Sequence, residues 1–290
     1  MPVFHYVNGK VVTEDEARIS VFDLGLLRGY GVFDYVQLYK GRPFHLRAHV
    51  ERLHCSAQQI QLDLPMSIEE IEKTVWNLIE RNEPIDAGIR FVITGGLSGK
   101  DLLTPGHTSS LIMLFHPFSP YKEEYYQNGM RAITTPVLRY LPHVKTTNYM
   151  PAIFAMKKAI GAGVDDALYL NDEGRIIEGT TCNVFFVKNG VLITDNSDQL
   201  VKGVTRDVVL RLAQNHYPIE FRSLSLAEAT SCDEAFLTSS IKDMIPLVQI
   251  DHKKVGSGHP GSVSAHLRTL FHCYIKDYFK SNKHLTKVTA

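Results

Sequence analysis

Residues 141–151 read LPHVKTTNYMP, and the lysine at their centre, Lys145, has no acidic residue in the run to pair with it. Pro151 suits the first turn of a helix. Ala152, Ile153, Ala155, Met156 and Ala159 carry that helix as a buried element to a stop at Gly161-Ala162-Gly163. Residues 131–138 read as a strand, so Lys145 stands just ahead of a helix start. A lysine placed there is either an exposed surface cation, the usual case for this residue, or a nucleophile.

On the carboxyl-terminal side the pattern is strand-dense. Residues 167–171 and 175–178 are strands about an Asp172-Glu173-Gly174 turn, and 182–188 and 191–194 form a hairpin about Asn189-Gly190. This half is expected to curl toward a barrel. The run KGVTRD at 202–207 opens a helix to about 215, with Thr205 as its expected cap; freed N–H groups and the helix dipole make such a terminus a natural phosphate site, although most capped helices bind nothing. FLTSS at 236–240 is a strand ending in hydroxyls, a helix over 263–279 covers the core, and the last eleven residues, basic and polar, are expected to fray.

The amino-terminal half opens with two short strands about Asn8-Gly9. Gly25, Gly29 and Gly31 precede a strand over 32–39, where they either let a ligand approach the backbone or serve as a bend. HLRAHVERLHCS at 45–56 is a helix with His45, His49 and Arg52 on one face. The histidines lack a third ligand at metal spacing, whereas Arg52 is either a phosphate grip or an exposed helical arginine. Ser67 and Glu70 have capping-box spacing at the head of a second helix to Arg81. Strands at 89–94 and 109–115 then flank a long loop, GGLSGKDLLTPGH, of a length that is often functional. The predicted fold is α+β in two domains: a smaller amino-terminal α/β domain at 1–117, a linker at 118–130 read from the run HPFSPYKEEYYQNG (116–129), which holds two prolines and a charge run, and a larger strand-rich, barrel-like domain at 131–290 that carries Lys145.

Composition narrows the functions. Over 290 residues, 44% are hydrophobic, and Lys plus Arg equals Asp plus Glu at 31 each, so no global field favours nucleic acid or an anionic membrane. No stretch approaches the roughly 20 apolar residues of a membrane span, and the amino terminus lacks the pattern of a secretion signal. Cys55, Cys182, Cys232 and Cys273 are scattered without C-x-x-C spacing, which fits a reducing cytoplasm.

Taken together, Arg52 in HVERL, Lys145 in KTTNY, Glu178 in EGTTCNVF, the GVTRD turn at 203–207 and FLTSS at 236–240 resemble the fold-type IV pyridoxal-phosphate enzymes, in the same order and at similar spacing. That family includes branched-chain aminotransferases, D-amino-acid aminotransferases and aminodeoxychorismate lyase. The resemblance implies a D-amino-acid-aminotransferase-like fold, a homodimer, the cofactor pyridoxal 5'-phosphate, and small amino-acid and 2-oxo-acid substrates. By resemblance, Lys145 carries the cofactor as a Schiff base and then shuttles a proton, and Glu178 keeps the pyridine nitrogen protonated. Arg52, the N–H groups of Val204 and Thr205, the Thr205 hydroxyl and Ser240 would hold the phosphate. Tyr149 would reach the ring hydroxyl, Val201 would lie against the ring face, and Asn183 would be structural.

Substrate contacts are expected from Tyr30, Phe33, Tyr35 and Ile241. Lys100 and Leu102 stand where D-amino-acid enzymes place an arginine and a histidine, and Gln37 stands where both kinds of aminotransferase place a basic residue. A branched-chain-like aminotransferase is therefore the first reading. Lyase-type elimination, a D-amino-acid aminotransferase and a catalytically silent relative are the alternatives.

Overall fold

The structure is a computed structural model that describes residues 2–83, 85–106 and 108–282. The chain divides into two compact units, one made of Met1–Ser119, Val144–Asn148 and Phe279–Ala290, the other of Pro120–His143 and Tyr149–Tyr278.

In the first unit, strands β1 (Phe4–Val7) and β2 (Lys10–Thr13) form the expected hairpin, with Asn8 and Gly9 at φ 46° and 90°. Helix α1 (Leu24–Arg28) ends on Gly29, which takes the left-handed conformation that a side chain would penalise. Then come β3 (Gly31–Tyr39), β4 (Arg42–Pro43), α2 (Leu46–Gln59), α3 (Ile68–Arg81), β5 (Ala87–Thr94) and β6 (Ser110–Pro117). Ser67 and Glu70 close the predicted capping box on α3. The strands form one antiparallel sheet in the order β2-β1-β6-β5-β3-β4. Val36, Leu38, Ile89, Phe91 and Ile93 of the sheet and Val50, Leu53, Ile71, Val75 and Leu78 of the helices are all buried.

The second unit runs α4 (Glu123–Asn128), β7 (Met130–Pro136), α5 (Met150–Gly161), β8 (Asp166–Leu170), β9 (Arg175–Gly179), β10 (Asn183–Lys188), β11 (Val191–Thr194) and α6 (Val204–Ala213). It continues with β12 (Ile219–Phe221), β13 (Leu224–Ser225), α7 (Leu226–Thr230), β14 (Glu234–Ser239), β15 (Asp243–Ile250), β16 (Lys253–Lys254) and α8 (Ser262–Ser281). Its sheet has the order β12-β11-β10-β14-β15-β7-β8-β9-β13, with β16 on β15. Strands β10 and β9 are five places apart in that order, about 24 Å if the sheet were flat. Yet the Gly179 N–H donates to the Cys182 carbonyl at 2.8 Å, so the sheet must curl, as the strand-dense sequence leads one to expect. Leu168, Val184, Leu237, Ile245 and Leu247 fill the curl.

Four expectations differ from what is seen. The stretch expected to be a linker, 118–130, contains α4. The segment expected in the second domain, 144–148, packs with the first unit, because its backbone pairs with β3. Strand β15 lies at the centre of its sheet without having been expected, and β12, β13, β16, α1 and α7 are likewise additional to the expected elements. Thr205 does not cap α6; the cap position is Gly203, which leaves Thr205 in the first turn. The tail expected to fray lies, from 283 onward, outside the described residues, while Lys280 and Ser281 finish α8.

Candidate active site

Alternation along β3 sends Asp34 and Val36 to one face of the first unit's sheet, and Phe33, Tyr35 and Gln37 to the other. On the helix side Asp34 is fully buried. It accepts from Nε and Nη2 of Arg52, both at 2.8 Å, from the Tyr35 N–H at 2.7 Å, and pairs with His49 Nδ1 at 2.8 Å. Burial alone would raise the Asp34 carboxyl, but the Arg52 charge and the hydrogen bonds from His49 and Arg52 hold it well below the usual carboxylate range. Burial also keeps His49 below its ordinary value, against the pull of Asp34. Arg52 is therefore not an exposed helical arginine; its fork is set by a buried carboxylate, with 18% of the side chain exposed.

On the other face lies Lys145. The Phe33 N–H donates to the Lys145 carbonyl at 2.9 Å, and the Thr147 N–H to the Gly31 carbonyl at 2.9 Å, so 144–148 runs as an extra antiparallel ribbon on β3. Gly31 permits this, since a Cβ there would meet the Ile93 carbonyl oxygen at 2.7 Å and Thr147 Oγ1 at 3.2 Å. What approaches the backbone at this glycine is the chain itself. The ribbon leaves Lys145 partly buried, with Nζ 4.7 Å from the centroid of the Phe33 ring. Phe33 and Lys145 are thus brought together.

Tyr35 is buried against Gly88 and donates its hydroxyl to Gln37 Oε1 at 3.0 Å; burial pushes that hydroxyl up to about 12. The Tyr30 hydroxyl is bonded to the Ile60 carbonyl at 2.6 Å, so its polar end is used within the fold. Arg90 pairs in register with Tyr35, and its guanidinium lies 5.1 Å from the Phe33 ring centroid on the face that carries Lys145.

In the second unit Glu178 is buried at the end of β9. One of its oxygens accepts from Arg139, and the other accepts from the Val201 N–H at 3.2 Å. Asn183 Nδ2 donates to the Val201 carbonyl at 2.8 Å, and a Cβ on Gly203 would meet Asn183 Oδ1 at 2.3 Å. Glu178, Val201, Asn183 and the head of α6 are therefore one constellation, in which Asn183 has the structural part expected of it. A cavity of about 230 Å³ reaches Glu178 and is lined also by Arg139, Pro142, Tyr169 and Gln199. Val204 and Thr205 open α6 with first-turn N–H groups that have no partner within the helix. Ser240 and Ile241 occupy the loop between β14 and β15, and Tyr149 stands at the cap of α5.

Sequence reasoning passes over Asp34, Arg90, Arg139 and Lys242. For Asp34 a signal exists: an acid in a strand as apolar as VFDYV needs a cation, and His49 and Arg52 lie on one helix face. Arg139, six residues before the lysine, carries no such mark.

These residues fit a phosphorylated pyridine aldehyde. The first unit supplies an amine on an aromatic wall and a guanidinium, the second a helix start carrying a hydroxyl and a buried carboxylate, and these are the kinds of group that such a molecule takes.

The amino-transferase class IV family model matches residues 31–250. A putative branched-chain-amino-acid aminotransferase of Methanocaldococcus jannaschii is 37% identical over 92% of this chain and 94% of its own length. A D-alanine aminotransferase of Bacillus licheniformis is 32% identical over 90% and 93%. Among solved structures, the branched-chain amino acid aminotransferase of Escherichia coli superposes with a TM-score of 0.88 at 27% identity, covering 94% of this chain and 94% of that one.

Proposed function

The chain belongs to the class IV amino-transferases, enzymes that depend on pyridoxal phosphate; from that premise we propose that it moves amino groups between branched-chain amino acids and a 2-oxo acid. The observation that carries the reading is the Lys145 amine, held over the Phe33 ring on a ribbon locked to β3. When bound, pyridoxal phosphate supplies an electron sink that makes the substrate's α-proton acidic.

The protein's own groups do the rest. Lys145 Nζ would hold the cofactor through its aldehyde carbon, and as a free amine it would take and return the proton of the substrate's α-carbon. Glu178, set by Arg139 and the Val201 N–H, keeps a proton on the ring nitrogen. Arg52, the amides of Val204 and Thr205, the Thr205 hydroxyl and Ser240 hold the phosphate; Tyr149 and Val201 contact the ring.

Phe33 and Tyr35 give an apolar side chain its wall; Tyr30 and Ile241 are the other substrate contacts that the resemblance implies. Arg90 offers a charge to the second carboxylate of an acceptor such as 2-oxoglutarate. The D-alanine aminotransferase relative keeps a D-specific reading in play, against which Lys100 and Leu102 speak. We infer a homodimer, supported by the exposed Val21, Phe22, Leu97 and Leu103 on the first unit. A cytoplasmic location is supported by four free cysteines. No described helix is long and apolar enough to cross a membrane.

A panel of L- and D-amino donors with 2-oxoglutarate and pyruvate as acceptors tests the substrate. Turnover confined to L-leucine, L-isoleucine and L-valine is expected, and turnover of D-alanine alone would move the assignment to the other relatives. Lys145→Ala should abolish turnover and the visible absorbance near about 410–420 nm that a cofactor imine gives. Activity in that variant without added amine would remove Lys145 from its role.

A further inference from the structure

The loop joining β14 to β15 has three residues, Ser240, Ile241 and Lys242, closed by the Ser239–Asp243 pair; Asp243, at φ 52°, supplies the left-handed residue that follows such loops. A charged residue in a hairpin loop ordinarily stands in solvent. Lys242 is instead 4% exposed. Its Nζ lies 3.4 Å from Asp166 Oδ2 and donates to Thr181 Oγ1 at 3.1 Å, with the Tyr121 ring centroid 5.2 Å away. Its backbone N–H donates to Ser239 Oγ at 3.1 Å, which tightens the loop.

Asp166, 1% exposed at the head of β8, spends its other oxygen on the Thr180 hydroxyl at 2.7 Å and the Ala167 N–H at 2.8 Å. Thr180 and Thr181 lie in the turn that leaves Glu178. One buried ion pair therefore ties the loop that bears Ser240 and Ile241 to the turn that bears Glu178. Stability alone gives no reason for charge at this place, because apolar replacements of a buried pair are often neutral or better. Geometry does give one: a pair saturated by two threonines and a backbone amide fixes position in a way that apolar packing does not.

We propose that Lys242, held by Asp166, is a positioning residue that sets the Ser240–Lys242 loop against the Glu178 turn, and so sets the span between the groups that hold the cofactor's phosphate and its ring nitrogen. This rests on the reading of Ser240 as a phosphate ligand. The test compares dissociation constants of apoenzyme for pyridoxal 5'-phosphate and for pyridoxal, which lacks the phosphate, by equilibrium dialysis. Lys242→Met with Asp166→Asn removes both charges, keeps the volume and retains an acceptor for Thr180. This double variant should bind pyridoxal phosphate on the order of tenfold more weakly, the scale of one hydrogen bond. Its affinity for pyridoxal should stay within about twofold.

Lys242→Arg, which keeps the buried charge but changes its reach, should show the same split, so a folding failure of the double variant leaves the test standing. Equal weakening for both ligands, or none for either, would show that the pair serves the fold alone and overturn the proposal. Ser240→Ala run alongside separates the two levels: the split there with none at Lys242 overturns only the positioning role, and no split at Ser240 overturns the phosphate reading and the proposal with it.

Discussion

Glu178 shows what a single side chain contributes. Arg139 occupies one carboxylate oxygen and the Val201 N–H the other. Glu178→Gln keeps the shape and loses the charge, so cofactor should remain bound while kcat falls roughly 100-fold or more, the scale of impaired acid–base catalysis. Wild-type kcat in a variant with full visible absorbance would remove Glu178 from the ring nitrogen.

Three buried or half-buried histidines, His5, His49 and His116, are held below their ordinary values chiefly by burial. Folded, they resist a proton that the unfolded chain accepts near about pH 6.5, so stability is fully present above that value and falls as pH drops below it. Calorimetry of apoenzyme should show Tm falling between about pH 7 and 5.5, the range in which an unfolded histidine titrates; a flat profile would contradict the burial. Lys145, Glu178 and Arg52 stand out in sequence as candidates because each sits in a short motif of fixed spacing. Asp34 and Arg139 are not, because what marks them is a partner distant in the chain.

At the level of elements, periodicity and turn chemistry are enough wherever both speak. The Asn8-Gly9 and Asn189-Gly190 hairpins and the capping box on α3 stand where they are expected; the helix about Pro151 forms too, but it buries only Ala152, Ala155 and Ala159 and leaves Ile153 exposed, so it is not the buried element its composition suggests. Strand β15 escapes the sequence because DMIPLVQI carries a proline and no alternation: it is buried on both faces, and its Pro246 stands opposite Phe236 of β14. Gly31 reads in sequence as a bend or a ligand approach, and only the fold shows that residues 144–148 lie against it. Gly31→Ala should therefore act at a distance in sequence. Its Cβ would press on the Ile93 carbonyl and on Thr147, costing about 1–3 kcal/mol of overpacking strain and displacing the ribbon that bears Lys145. A lowered Tm together with weakened visible absorbance is expected; a normal spectrum at unchanged Tm would mean that the ribbon does not depend on this contact.

For the whole molecule, the question is what covers its exposed apolar side chains. Leu102 and Leu103, at the tip of the long loop of the first unit, are 40% and 65% exposed, and Leu97 of the same loop is 55% exposed. Beside them, the Ser98 N–H donates to the Phe22 carbonyl, which places the exposed Phe22 and Val21 next to the loop. His107, the last residue of the loop as read from sequence, lies outside the described residues. An apolar patch of this kind marks a contact surface; in the homodimer proposed above, a two-fold arrangement would let each loop complete the neighbour's site. Subunits carrying Lys145→Ala would then be inactive yet retain an intact loop, and subunits with Leu102 and Leu103 changed to serine would retain the lysine. Mixed after subunit exchange, they should recover up to about a quarter of wild-type activity, because half of the dimers are mixed and one of their two sites has both parts intact. A monomer by sedimentation at assay concentration, or no recovery despite proven exchange, would mean that each chain completes its own site and that the leucines face some other partner.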